Sequence, residues 1–202
     1  MNVRRVSSVD VVSHDTPLLV LSVHESEAES HKAEVVAPAG LSEAIAGACP
    51  PEDLKHKLGE SVLVYLNEGG GHRRVLLLGA GKPSKLDLET TRRFAGHAVR
   101  AAEALGVSGL TAYLGTNVSS DAAQAATEGA VLAAWRFTEM KSPDEDDGSI
   151  DVLDFEVMVD PEDLDAAEAG VRVGDAVGRG ANFARTLQSR PGNVATPSHL
   201  AD

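Results

Sequence analysis

Gly79-Ala80-Gly81-Lys82 follows an apolar run and invites anion-binding chemistry. Backbone N–H groups of a glycine turn cradle phosphate oxygens, and a neighbouring lysine neutralises them. The spacing completes neither phosphate motif. A P-loop needs Gly-Lys-Ser/Thr with a helix starting at once, whereas Pro83 follows Lys82 and the next helical pattern waits until Asp87. A dinucleotide fingerprint asks for a third glycine where Ser84 stands. The glycines therefore read as a tight strand-to-helix turn. The histidines at 14, 24, 31, 56, 72, 97 and 199 are dispersed, with no His-Glu-x-x-His pair to hold a metal. His97 falls on the flank of a helical pattern, where boundary packing is the simpler role. Cys49, between Ala48 and Pro50, has no evident activating base and reads as a buried or bystander thiol. No serine occupies a Gly-x-Ser-x-Gly elbow. The arginine pairs 4/5, 73/74 and 92/93 read as solvated faces. No catalytic, cofactor-binding or metal-ligating residue is assigned.

The elements that would position any such group alternate. LLVLSV (18–23), SVLVYL (61–66) and RRVLLLG (73–79) have the length and β-branched content of buried strands, the third entered through the turn-like EGGGH (68–72). Between the first two, residues 41–59 read as one or two short helices interrupted at Pro50 and Pro51. From Asp87, a plausible N-cap, Leu88, Thr91, Ala95, Ala98, Ala102 and Leu105 recur at helical spacing, with Gly106 as a C-cap. GLTAYLG (109–115) returns to strand character, and 119–137 is an alanine-rich helix in which Gly129 points to close backbone packing. After the polar break at 141–149, VLDFEVMV (152–159) is a strand, and Pro161 opens a helical register lasting nearly to Arg190. Its apolar positions are Leu164, Ala167, Val171, Ala176 or Val177, Ala181, Ala184 and Leu187. This order predicts an α/β fold, a mainly parallel or mixed sheet covered on both faces, with a long C-terminal helix as a connector.

At 202 residues with 43% hydrophobic content, one sizeable core is expected, and 3% aromatic residues make it a core of Val, Leu and Ala. No apolar run approaches the roughly 18 residues of a membrane span, the N-terminus lacks a signal-peptide stretch, and a lone cysteine forms no internal disulfide; these point to the cytoplasm. The net charge is −13, and 13 acidic residues lie between Glu139 and Glu168 against Lys141 alone. That stretch reads as a solvated loop and surface, and it disfavours nucleic acid as a partner. Acid excess with six lysines also suits adaptation to high salt.

The chain closes with a helix opening: Thr196 as N-cap, Pro197 at the first position, then Leu200 and Ala201. So short a helix is unstable alone, which suggests a sequence cut from a longer one or a frayed tail.

GDAVGRGANFARTLQSRPGNVATPSHLAD (174–202) closely resembles the connector of the leucyl aminopeptidase (cytosol aminopeptidase) family, through Asn182, Ala184, Arg185, Leu187, Pro191, Asn193, Thr196, Pro197, Leu200 and Ala201. Arg190 stands where that family usually has an acidic residue, Ser189 where it has asparagine, and Trp135 where tyrosine is commoner. RRVLLLGAGK and EGAVLAAWRFTEMKS also resemble the family's N-terminal domain. The resemblance implies a macro-domain-like, three-layer α/β/α domain over 1–160, a linker helix over 161–190 and the start of a missing catalytic domain at 191–202. It implies a parent that removes N-terminal residues from peptides by two-metal hydrolysis, with two divalent ions (Mn or Zn) in the missing domain and no cofactor in this segment. The expected partners are the chain's own catalytic domain and neighbouring subunits of a homo-hexamer, with peptide substrate only in the full-length parent, and neither nucleic acid nor membrane. The expected role is non-catalytic, in oligomer assembly and active-site access. The α/β order and the GAGK turn leave a macro-like module binding a nucleotide or ADP-ribose as the alternative.

Overall fold

The computed structural model describes residues 1–7, 14–27, 32–38, 40–68, 71–140 and 151–196. Among these residues, seven strands form one mixed sheet: β1 (Asn2–Ser7), β2 (Leu19–Glu25), β3 (Ala33–Val36), β4 (Ser61–Glu68), β5 (Gly71–Gly81), β6 (Gly109–Tyr113) and β7 (Asp154–Val159). The strand order is β1-β7-β6-β2-β5-β4, with β3 paired to β2. β1, β7, β6, β2 and β5 run parallel, while β4 pairs antiparallel with β5 as a hairpin and β3 antiparallel with β2. On β2, Leu19–Leu21 pair with β6 and Ser22–Glu25 with β3.

Among the described residues, four α-helices cover the sheet: α1 (Ser42–Ala48), α2 (Leu88–Ala104), α3 (Ser120–Ala133) and α4 (Leu164–Ser189). The period-2 alternation of the buried strands sends residues to two cores. Leu18, Val20, Leu76, Leu78, Leu110, Ala112, Phe155 and Val157 meet α2, α3 and α4 on one face. Leu19, Leu21, Val23, Val75, Leu77 and Met158 meet Leu41, Ile45 and Cys49 around α1 on the other. The architecture is therefore three-layered, mixed-sheet α/β as the element order predicts, with three of its four helices on one side.

The predicted caps form. Asp87 accepts from the Thr90 amide at 2.7 Å, and Gly106 ends α2 at φ 66°. Gly129 sits where α2 and α3 touch: a Cβ there would lie 1.9 Å from the Arg92 carbonyl oxygen. Three features differ from the expectation. β1 and β3 carry no continuous apolar run and were not predicted; each exists because a neighbouring strand offers it a ladder. α3 stops at Ala133 rather than at 137. The 3-10 turn Pro161–Asp163 precedes α4, whose inward line is Ala167, Gly170, Val171, Gly174 and Gly178, so Ala176, Val177 and Ala184 face outward. The acidic break at 141–149 and the helix opening from Pro197 onward lie outside the described residues. Among the described residues no helix is long and apolar enough to cross a membrane.

Candidate functional site

Carboxyl ends of parallel strands are where open α/β sheets place ligands, because loops and helix starts converge there. Here a cavity of 160 Å³ lies beyond the ends of β2, β5 and β6, lined by Ser22, His24, Ala80, Phe94, Tyr113 and Asn117 among others. Its lining is mostly apolar. His24 Nε2 lies 3.1 Å from Ser22 Oγ, whereas Nδ1 is buried without a well-formed hydrogen bond. Burial pulls the His24 pKa below its ordinary 6.5, only partly offset by the Gly81 backbone beside it. Tyr113 donates to Asp160 Oδ1 at 3.0 Å; burial and then that carboxylate push the phenol well above its ordinary range. The rim turns through Gly115 (φ 94°) and Asn117 (φ 56°), asparagine being a residue that tolerates this left-handed backbone.

The GAGK segment does not serve this cavity as a phosphate cradle. Instead of forming a turn, Gly79 to Gly81 belong to β5. The Gly79 amide donates to Glu60 O at 2.8 Å and the Gly81 amide to His56 O at 2.7 Å, so both are occupied. A Cβ on Gly79 would lie 2.1 Å from Lys57 O, which explains that glycine as a close approach of two backbones. Lys82 Nζ sits 3.1 Å from Glu25 Oε1, with His56 Nε2 3.8 Å from the other carboxylate oxygen, so its charge is already compensated.

A second cluster was not anticipated. Glu156, in the acidic stretch read as solvated, is buried on β7. His14 Nε2 lies 2.5 Å from its Oε2, Thr111 Oγ1 donates to the same oxygen at 2.7 Å, and Arg4 pairs with Oε1. The residue types resemble a nucleophile, base and carboxylate, but the wiring is wrong for that chemistry. A relay needs the imidazole between hydroxyl and carboxylate, using its two nitrogens. Here one nitrogen and the hydroxyl converge on one oxygen, and Thr111 is fully buried. The group ties residues 14–16 and β1 to the sheet. Its sequence signal was a lone acidic residue inside the apolar alternation of DFEVMV.

The connector residues also acquire a physical role. An α-helix leaves its last carbonyls unpaired. At the end of α3, Asn182 Nδ2 donates to Val131 O at 2.8 Å, and Arg185 Nη1 donates to Leu132 O and Asn182 Oδ1, each at 3.0 Å. The Arg185 guanidinium stacks 4.1 Å from the Trp135 ring centre, and Trp135 Nε1 donates to Thr186 Oγ1 at 3.1 Å. Arg190 forks onto Glu139, both contacts at 2.7 Å.

The remaining sequence candidates fall where packing explains them. Cys49 is buried at the end of α1, its thiol pushed up by burial and then by Asp53 and Glu52. His97 packs over Gly59, whose Cβ would lie 3.0 Å from its Cε1. Arg5 pairs with Glu168, and Arg92 with Glu128 and Glu89. His31 and His199 lie outside the described residues. Among the described residues no three His, Cys, Asp or Glu side chains converge as a metal site.

The fold and these sites define a mixed-sheet α/β domain in which a capping network at the end of α3 holds the connector residues. The cytosol aminopeptidase family, N-terminal domain, matches residues 20–144. The chain belongs to that family. A probable cytosol aminopeptidase of Roseiflexus castenholzii is 35% identical, over 98% of this chain and 38% of its own length. One of Alkalilimnicola ehrlichii is 34% identical, over 96% of this chain and 40% of its own. The chain thus spans about two fifths of the length of these relatives. Among solved structures, the bottromycin maturation enzyme BotP shares the fold with a TM-score of 0.63 at 22% identity, over 93% of this chain and 36% of that one.

Proposed function

We propose that this chain is the non-catalytic N-terminal domain of a cytoplasmic leucyl aminopeptidase, and that it serves subunit assembly and access to an active site borne by a following domain. The observation that carries the reading is the family match over 20–144, which is to an N-terminal domain, in relatives more than twice as long. The metal donors of two-metal hydrolysis belong, in this reading, to that following domain. The 202-residue chain, given Mn²⁺ or Zn²⁺ and a leucine anilide, should show no turnover, while the polypeptide continued through its reading frame should cleave the anilide in a metal-dependent way. Robust metal-dependent turnover by the 202 residues alone rejects the proposal.

A second reading, a macro-like module for ADP-ribose or a nucleotide, would use the cavity at the strand ends, and the geometry there disfavours it. The cavity's 160 Å³ falls below the roughly 300 Å³ at which ordinary ligand sites begin. The occupied Gly79 and Gly81 amides also remove the donors that a diphosphate would use. Calorimetric titration with ADP-ribose should give no binding heat at millimolar ligand; saturable heat would establish this reading.

A further inference from the structure

The outward face of α4 has no partner among the described residues. At 100° per residue, Val173, Ala176, Val177, Gly180, Phe183 and Ala184 lie together on a strip centred about 120° around the helix from the glycine line that packs on α3, and all six are exposed. Val177 is 50% and Phe183 65% exposed. Between Val173 and Ala184 the helix keeps its charges off this strip: Glu168, Arg172, Asp175 and Arg179 share the adjacent flank, where Glu168 pairs with Arg5 and Asp175 with Arg179. A helix facing only water would mix charge into this strip. Gly180, with nothing within 4 Å of its would-be Cβ, leaves room for a close backbone.

We propose that this strip is the docking surface for the part of the polypeptide that follows α4, a proposal that rests on the chain being an N-terminal domain. Two observations choose this occupant over a second copy of the chain. First, in its relatives the matched region is less than half of the protein, so a substantial body of chain follows Ser189, the end of the helix that bears the strip. Second, even the full 26 residues of α4 give a strip about 39 Å long and about 10 Å wide. That is roughly 400 Å², about half of the ~800 Å² per partner in a stable interface between free proteins. A tethered neighbour needs less area, because the linker holds it at an effective concentration near millimolar.

Single cysteines report the contact. In a Cys49→Ala background, Val177→Cys and Ala176→Cys test the strip, and Glu43→Cys on α1 serves as an exposed control. In the 202-residue chain all three should react with a maleimide at similar rates. In the full-length polypeptide, residues 176 and 177 should react at least about tenfold more slowly while residue 43 is unchanged, as expected for an intramolecular contact. Equal rates in the two polypeptides overturn the proposal. Protection already present in the 202-residue chain and rising with its concentration assigns the face to a second copy, which also overturns it. Leucine anilide cleavage by the same full-length sample is scored separately. Activity without protection removes the docking alone, and protection without activity removes the proposed function alone.

Discussion

Gly129 and Gly96 lie on the same two helices and make opposite predictions. Replacing a helical glycine by alanine gains about 1 kcal/mol from backbone entropy when there is space. At Gly96 the nearest atom to a new Cβ is 3.6 Å away, ordinary contact, so Gly96→Ala should be neutral or stabilising by up to about 1 kcal/mol. At Gly129 the new Cβ would meet the Arg92 carbonyl at 1.9 Å. α2 and α3 would have to separate, so Gly129→Ala should lose a net 1–3 kcal/mol, roughly the cost of overpacking. Urea denaturation of both variants measures the difference. A stabilised Gly129→Ala would show that this helix contact is looser than described.

At the scale of elements, the joint between α3 and α4 depends on two side chains that serve one helix end. Asn182 and Arg185 cap neighbouring carbonyls and bond each other, so their contributions should not add. Asn182→Ala and Arg185→Ala should each cost about 1–2 kcal/mol, because a part-buried carbonyl loses its donor. The double variant should cost less than the sum of the two. Arg185→Lys should recover little, since an ammonium lacks the planar group that stacks on Trp135. A double-mutant cycle in denaturant gives the coupling directly, and strict additivity would separate the two caps.

For the whole molecule, His24 sets a pH dependence with a definite sign. Its folded pKa lies below 6.5 because burial disfavours the imidazolium, whereas the unfolded chain protonates near the ordinary value. As pH falls through 6.5 the unfolded state takes up the proton first, so stability is intact above that pH and is lost below it, down to the folded pKa. His24→Gln should therefore flatten the fall in Tm between pH 7.5 and pH 5.5. An unchanged slope would assign the acid sensitivity to other groups.

Local pattern alone determined much of this domain. The strands at 18–23, 61–66, 73–79, 109–115 and 152–159, the caps at Asp87 and Gly106, and the need for Gly129 were legible because each depends on residues a few positions apart. The connector was legible as a family signature without its physical role. Tertiary structure decided the rest. β1 forms only because β7, some 150 residues away, supplies a parallel ladder. Glu156 is buried only because His14, Thr111 and Arg4 arrive from three other segments to satisfy it. Which apolar stripe of α4 turned inward was also undecided by pattern, since two faces of that helix are apolar and the close approach to α3 admits only the glycine one.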